Sequence, residues 1–571
     1  MSGRAARGWK LPGTEPSTVR ALSDRHQLDP LLAAVLVRRG ISEPVEVDAF
    51  LGRGPLPPVR IDGMQSAVER IGRCAGRPVF VYGDPDVDGI AATAIMVELL
   101  RRMGAPVRWR IPPGGRHGLP DGGVREARTA GAELVVCVDC SIGPAESREA
   151  ARSGIDVLVV DHHRPIDAPP LDSLPETVRV LNPALSGAAG AERLAAGAVA
   201  LKLAEAVRQA AKTGGEHDVA ATQLPYDLAM LSTLADRMPL TGESRRITAL
   251  GLDALARSDR PGLLELWLRV GRSVPVPSAD QVSRTLNPVI GSAARYGEGD
   301  HAVQLLLSRA RRECAELSDR LQELDARRRR ESAAAWNRLL PRARHLAGQY
   351  PEARCLVVDD RDLARGLTGP LAYRLSRFLD RSVAVVAYDG GFISGSIRSP
   401  DSGANALVLL ADTDGLLTSR GGHRSAGGFV APADVLTDVR RRWSDRRHGT
   451  AHGRREPARV LDAEVPAREL TPALDRLVAA VEPTGVGNGP VVLRTRGLEV
   501  SEVNLFGRAS EHCKLLLDAG AYRWPALYWG AGSRAGEFAP GDTVDVVYRL
   551  EPGYSDGERR LQMVVLDLCR R

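Results

Sequence analysis

Lysine is nearly missing from this chain. It occurs only at Lys10, Lys202, Lys212 and Lys514, so almost all positive charge is arginine. Arginine suits bidentate phosphate recognition, but so uniform a bias reads first as a compositional habit. The net charge of +6 over 571 residues permits a nucleic-acid partner without demanding one. Aromatics make up 4% of the residues, so any base-stacking surface rests on few side chains. Trp524, Tyr528 and Trp529 are the candidates, with core packing an equal alternative. The cysteines number seven, an odd count scattered along the chain, which argues against a disulfide framework and for a reducing cytosol. Cys137-x-x-Cys140 is half a zinc pattern, and no second pair at zinc spacing follows, so no structural zinc is expected. No apolar run approaches the roughly 20 residues that span a bilayer. The first residues, Met1-Ser-Gly-Arg-Ala-Ala-Arg7, lack an apolar signal region. A cytoplasmic chain with no membrane association is expected.

What is present is a sequence of distinct textures. Residues 1–60 read as short helices, for example 31–40, where Arg38, Arg39 and Gly40 suit a helix C-terminus. Over 61–265, short apolar runs alternate with helical segments: Val79–Tyr82, Val107–Ile111, Leu134–Val138 and Val157–Val160 are candidate strands, and Ala91–Met103 a candidate helix. Such runs point to a parallel sheet covered on both faces. A connecting helical segment spans 266–345. Within it His301–Leu340 holds no Gly or Pro and predicts one helix of roughly 60 Å at 1.5 Å per residue. The Arg327–Arg330 run there reads as a solvated face. A second α/β domain is expected over 346–450, and a small β-barrel of the OB type over 458–571. The fold class is therefore α/β, two sheet domains joined by a long helix, plus a C-terminal OB-like barrel.

Three of the apolar runs end in ionisable residues: Asp84, Asp139, and Asp161 with His162 and His163. One strand ending in Asp is ordinary turn capping. Three parallel strands would bring these groups to one rim, where open α/β sheets bind ligands. Asp84, Asp86 and Asp88 alternate along what reads as an extended segment, with Gly89 permitting a tight turn. Clustered carboxylates repel unless a divalent cation neutralises them. Oxygen ligands suit Mg²⁺ or Mn²⁺, and imidazole shifts the preference toward Mn²⁺. Two such ions can activate water and stabilise both oxygens of an in-line displacement at phosphorus. An EF-hand does not fit, because the twelfth loop position is Ile95.

Gly83-Asp-Pro-Asp-Val-Asp-Gly89, Val138-Asp-Cys-Ser141, Val160-Asp-His-His163 and Leu234-Ala-Asp-Arg-Met-Pro-Leu240 resemble, in order, the four motifs of the DHH phosphoesterase superfamily. Within it the chain resembles the RecJ family of single-stranded-DNA-specific exonucleases. Asp29-Pro-Leu-Leu and Arg39-Gly-Ile resemble that family's N-terminal region. Gly421-Gly-His-Arg-Ser-Ala-Gly427 resembles the DHH-associated domain, and Glu482-Pro-Thr-Gly-Val-Gly-Asn488 the start of the OB domain. The resemblance makes 61–265 the DHH catalytic domain and 346–450 the nucleic-acid-binding DHH-associated domain. It implies Asp86, Asp88, Asp139, His162 and Asp236 as ligands of two Mn²⁺ or Mg²⁺ ions, with Asp139 bridging. Asp84, Asp161 and His163 would be catalytic: Asp84 beside the metals, Asp161 orienting the histidines, His163 on the scissile phosphate. Arg295, Ser396, Arg398 and His423 would contact nucleic acid, Ser396 and Arg398 at a 5′ phosphate.

The implied activity is 5′→3′ hydrolysis of single-stranded DNA in recombination and repair. A helicase and a single-strand-binding protein stand as open partners. Several positions depart from the pattern. Pro85 replaces an aromatic residue and Ser141 a glycine. Ile111-Pro-Pro-Gly-Gly115 lacks an expected phosphate-binding arginine, for which Arg116 or His117 could substitute, and Val289 and Gly291 replace an arginine and an asparagine. These departures keep two rivals open: a DHH phosphodiesterase for short RNA or cyclic dinucleotides, and a non-catalytic nucleic-acid-binding scaffold.

Overall fold

The computed structural model describes residues 8–54, 59–113, 118–163, 173–185, 193–214, 223–257, 260–271, 277–400, 403–444, 459–555 and 558–571. They fall into two compact units, one of residues 59–238 and 247–455, the other joining 1–58, 239–246 and 456–571. Arg116 and His117 lie outside the described residues.

The larger unit begins with an all-parallel sheet of β1 (Val79–Gly83), β2 (Val107–Arg110), β3 (Leu134–Val138), β4 (Asp156–Val160) and β5 (Val178–Leu181) in the order β2-β1-β3-β4-β5. Every residue of β1 and β3 is buried, which is why these strands read as continuous apolar runs. Strand β5 was not expected: four residues with Arg179 among them make a weak signal, and pairing to β4 creates the strand.

Helix α1 (Val87–Arg102) is buried along most of its length and packs against α2 (Ala196–Gly214) and α3 (Tyr226–Ala235). It starts four residues before the expected Ala91, because the Asp86 carboxylate accepts from Gly89 N at 3.0 Å and caps the first turn. The Asp84–Asp88 segment is therefore a strand end followed by a helix start, not an alternating extended run.

The connecting helix also differs from expectation. Ser308 leaves helical geometry (ψ 140) after a helix over Gly299–Leu307. Beyond α4 (Asn287–Arg295) and this break, α5 runs over Arg311–Gln349, 39 residues, passing through Pro341. Leu339 and Ala343 on either side of the proline are wholly buried in the second domain's core, so tertiary packing offsets the lost backbone hydrogen bond. The arginine run is ion-paired, Arg327 with Glu331 and Arg328 and Arg329 with Asp325.

The second sheet holds β6 (Leu356–Asp360), β7 (Val383–Asp389), β8 (Phe392–Arg398), β9 (Ser419–His423) and β10 (Ala426–Pro432), ordered β9-β10-β8-β7-β6. Only the β6–β7 pair is parallel. Its two faces carry separate cores, one shared with α5 and α6 (Thr368–Leu379), the other with helices Ala406–Asp412 and Leu436–Ser444.

The smaller unit is a barrel of β11 (Ala463–Glu464), β12 (Val492–Phe506), β13 (His512–Asp518), β14 (Arg523–Tyr528), β15 (Thr543–Ser555) and β16 (Glu558–Arg570), closed because β12 pairs with both β13 and β15. Helices Pro16–His26 and Pro30–Arg38 share its core. Arg39 forks onto both carboxylate oxygens of Asp462 at 2.9 and 3.0 Å and reaches Asn488 Oδ1 at 2.8 Å. The Arg39 and Asn488 motifs thus meet in a structural joint. Among the described residues, no helix is long and apolar enough to cross a membrane.

Candidate metal centre

The C-terminal ends of β1, β3 and β4 deliver Asp84, Asp139 and Asp161 with the two histidines to one rim of the first sheet. The start of α1 adds Asp86 and Asp88, and the C-cap of α3 adds Asp236. Three ligand groups form, with donor atoms within 4.8 Å of one another: Asp84, Asp86 and Asp139; Asp88, His162 and Asp236; and Asp139, His162 and His163. His162 Nε2 lies 3.3 Å from Asp139, 3.5 Å from Asp88 and 3.6 Å from Asp236. Four separate segments contribute, and Asp139 and His162 each belong to two groups.

Backbone geometry fixes these positions. Asp139 takes a left-handed conformation at φ 58, which Asp tolerates better than most side chains, and its N–H donates to Val160 O at 2.9 Å. Gly89 has no room for a side chain, since a Cβ would lie 2.3 Å from Asp84 O. Asp88 is held by donors that the sequence did not reveal. Its Oδ1 accepts from Gly197 N at 2.9 Å and Ser232 Oγ at 2.6 Å, and its Oδ2 from Ala196 N at 3.0 Å. Those donors sit at the start of α2 and inside α3, more than 100 residues downstream, where nothing in the local sequence marks them. Asp161 accepts from His162 N at 2.7 Å and from His163 Nδ1 at 2.8 Å, while Asn182 Nδ2 anchors the His163 carbonyl at 2.8 Å.

The electrostatics are those of a site built for cations. Burial raises the carboxyls of Asp88, Asp139 and Asp236 above the usual range, and for Asp139 and Asp236 neighbouring carboxylates push further. His162 is lowered by burial, which keeps its imidazole neutral and its lone pair available. Asp139 Oδ1 and His162 Nε2 are buried without a hydrogen-bond partner. Orphaned ligand atoms facing one another, with carboxylates that repel when ionised, fit divalent cations. His163 behaves differently. Burial would lower it, but the Asp161 hydrogen bond and the surrounding carboxylates push it up to about 9, so it carries a proton at neutral pH. Asp161, despite burial, is held below the usual carboxylate range by His163.

The expected nucleic-acid residues are placed more loosely. Arg295 ends α4, exposed, with its stem against Gly366: a Cβ there would lie 3.2 Å from Arg295 Cβ. Ser396 Oγ lies 2.9 Å from Thr368 Oγ1 at the start of α6, and Arg398 is half-buried beside it on β8. His423 ends β9, paired with Ala426. The three aromatic candidates separate: Trp524 is buried and donates to Leu470 O at 3.2 Å, Tyr528 is half-buried, and Trp529 is 54% exposed, in edge contact with Phe506 and His512. All seven cysteines are free thiols.

Known proteins share this arrangement. Residues 78–234 match the DHH family, N-terminal domain, and residues 461–567 match the RecJ OB domain. Single-stranded-DNA-specific exonuclease RecJ of Thermus thermophilus is 30% identical over 81% of this chain, which spans 65% of that relative's length. The crystal structure of Thermus thermophilus RecJ in complex with Mn²⁺ is 28% identical, with a TM-score of 0.79 over 99% of this chain and 79% of its own. A crystal structure of exonuclease RecJ bound to manganese is 30% identical and superposes with a TM-score of 0.56 on 68% of this chain, covering 95% of its own length. With its sheet-rim cluster, joining helix and barrel all matched, the chain belongs to the RecJ family.

Proposed function

We propose that this protein is a metal-dependent exonuclease that hydrolyses single-stranded DNA from the 5′ end in recombination and repair. The observation that carries the reading is the joint presence of an intact ligand cluster and an OB barrel in one chain. Asp86, Asp88, Asp139, His162 and Asp236 would hold two Mn²⁺ or Mg²⁺ ions, with Asp84 beside them, and Asp139 belongs to two of the ligand groups. Bound there, the ions supply charge neutralisation, activation of water and stabilisation of the leaving oxygen. The chain's own residues do the rest. The Gly197, Ala196 and Ser232 donors keep Asp88 in one orientation. His163, steadied at Nδ1 by Asp161, would present its Nε2 to an oxygen of the scissile phosphate. Arg295, Ser396, Arg398 and His423 are the proposed contacts to the strand, with the barrel gripping more distant nucleotides.

Free thiols and the lack of a spanning helix among the described residues support a cytoplasmic setting. A helicase that exposes single strands and a single-strand-binding protein are the partners this reading calls for. The OB barrel speaks against short RNA or cyclic dinucleotides as the main substrate, and the assembled cluster against a non-catalytic scaffold. Asp139→Ala should lower Mn²⁺-dependent degradation of 5′-labelled single-stranded DNA by on the order of 10³-fold or more. Full activity in that variant would refute the mechanism.

A further inference from the structure

Resting on that reading and deepening it, we propose that Arg237 is a strand-phosphate contact, braced on Tyr373 and paired with Arg398 to form a two-arginine clamp beside the metal cluster. Arg237 directly follows Asp236, so the chain segment that supplies a ligand also supplies the clamp. It takes a left-handed conformation, φ 55, which few non-glycine residues adopt. Its guanidinium lies over the Tyr373 ring, 5.3 Å from the centroid.

Tyr373 lies four residues after Gly369 on α6, so both occupy one face of that helix. A Cβ at Gly369 would stand 3.2 Å from Arg398 Nη2 and 3.7 Å from Ser396 Oγ. Arg237 and Arg398 therefore address the same helix face one turn apart. After burial, the charge of Arg237 is the further influence that depresses Arg398. The Arg398 side chain's one hydrogen bond among the described residues goes to the Ile397 carbonyl, and no carboxylate lies within ion-pair distance of either guanidinium there. Adjacent guanidinium groups without an acid between them repel, and an anion between them removes the repulsion. A phosphate of the bound strand is the anion that the neighbouring ligand cluster calls for.

The test uses the full chain with Arg237→Asn, which keeps the left-handed turn accessible, Arg237→Lys, which keeps the charge, and a thermal-melting control. Binding of a single-stranded oligonucleotide is measured over a salt series in Ca²⁺, and kcat and KM are measured in Mn²⁺. Arg237→Asn should raise KM about ten-fold with kcat within about two-fold, and flatten the slope of log Kd against log salt by about 0.7. Arg237→Lys should recover the slope. An unchanged KM and slope overturn the clamp. So does a purely structural pattern, in which the melting temperature and kcat fall while the slope holds. A wild-type protein that binds the oligonucleotide yet never cleaves it refutes the exonuclease reading alone. A wild-type protein that binds no strand refutes both.

Discussion

Ser232→Ala isolates the support of a metal ligand from the ligand itself. Ser232 Oγ donates to Asp88 Oδ1 at 2.6 Å, and the serine is wholly buried in α3. Alanine keeps the Cβ, adds no bulk near Gly197, and has higher intrinsic helix propensity by several tenths of a kcal/mol. The fold should therefore hold without metal. What changes is the orientation and basicity of Asp88. A hydrogen bond to a charged group contributes about 1.5–3 kcal/mol. Gly197 N still donates to the same oxygen at 2.9 Å, so the lower part of that range applies, about 1.5–2 kcal/mol, or roughly 10- to 30-fold in apparent Mn²⁺ affinity. Calorimetric Mn²⁺ titration of wild type and variant measures it, with melting in EDTA as the folding control. An Mn²⁺ affinity within about threefold of wild type, at unchanged melting temperature, would show that Asp88 does not depend on this donor or does not bind metal.

Other perturbations have equally definite outcomes. Arg245 donates to the carbonyls of Val481, Glu482 and Pro483 at 2.9, 2.7 and 2.9 Å and lies 3.9 Å over the Phe50 ring. Arg245→Ala removes the donor to the Glu482 carbonyl, while Val481 and Pro483 keep Asn488 Nδ2 at 2.9 Å, and should destabilise the barrel unit by about 2–3 kcal/mol in urea unfolding. Trp524→Ala should cost about 3–5 kcal/mol of stability, whereas Trp529→Ala should spare stability and weaken single-strand binding by about 1–3 kcal/mol. Their order in melting and in binding titrations should be opposite. In EDTA, His163 with its pKa raised from 6.5 to about 9 stabilises the fold fully below about 6.5 and loses that contribution as pH rises through about 9. His163→Gln should flatten the melting curve against pH across that window.

Much was readable in the sequence where the physics is local. Apolar runs ending in Asp84, Asp139 and Asp161 announced buried parallel strands with ionisable ends, and four ordered motifs announced the cluster. Boundaries failed where local signals competed: α1 begins at Val87 because Asp86 caps it, and α5 absorbs Pro341 because buried neighbours on both sides hold it. Strand β5 exists only through its pairing with β4.

The sequence by itself determined which side chains could hold metal, since that depends on chemical type and order along the chain. Only the tertiary structure decided their partners. Ser232 and Gly197 reach Asp88 from segments over 100 residues away, Arg39 meets Asp462 and Asn488, and Arg237 finds Tyr373. Contacts of that kind arise from packing of distant elements, and a hydrogen-bond donor leaves no periodicity or composition by which a linear reading could find it.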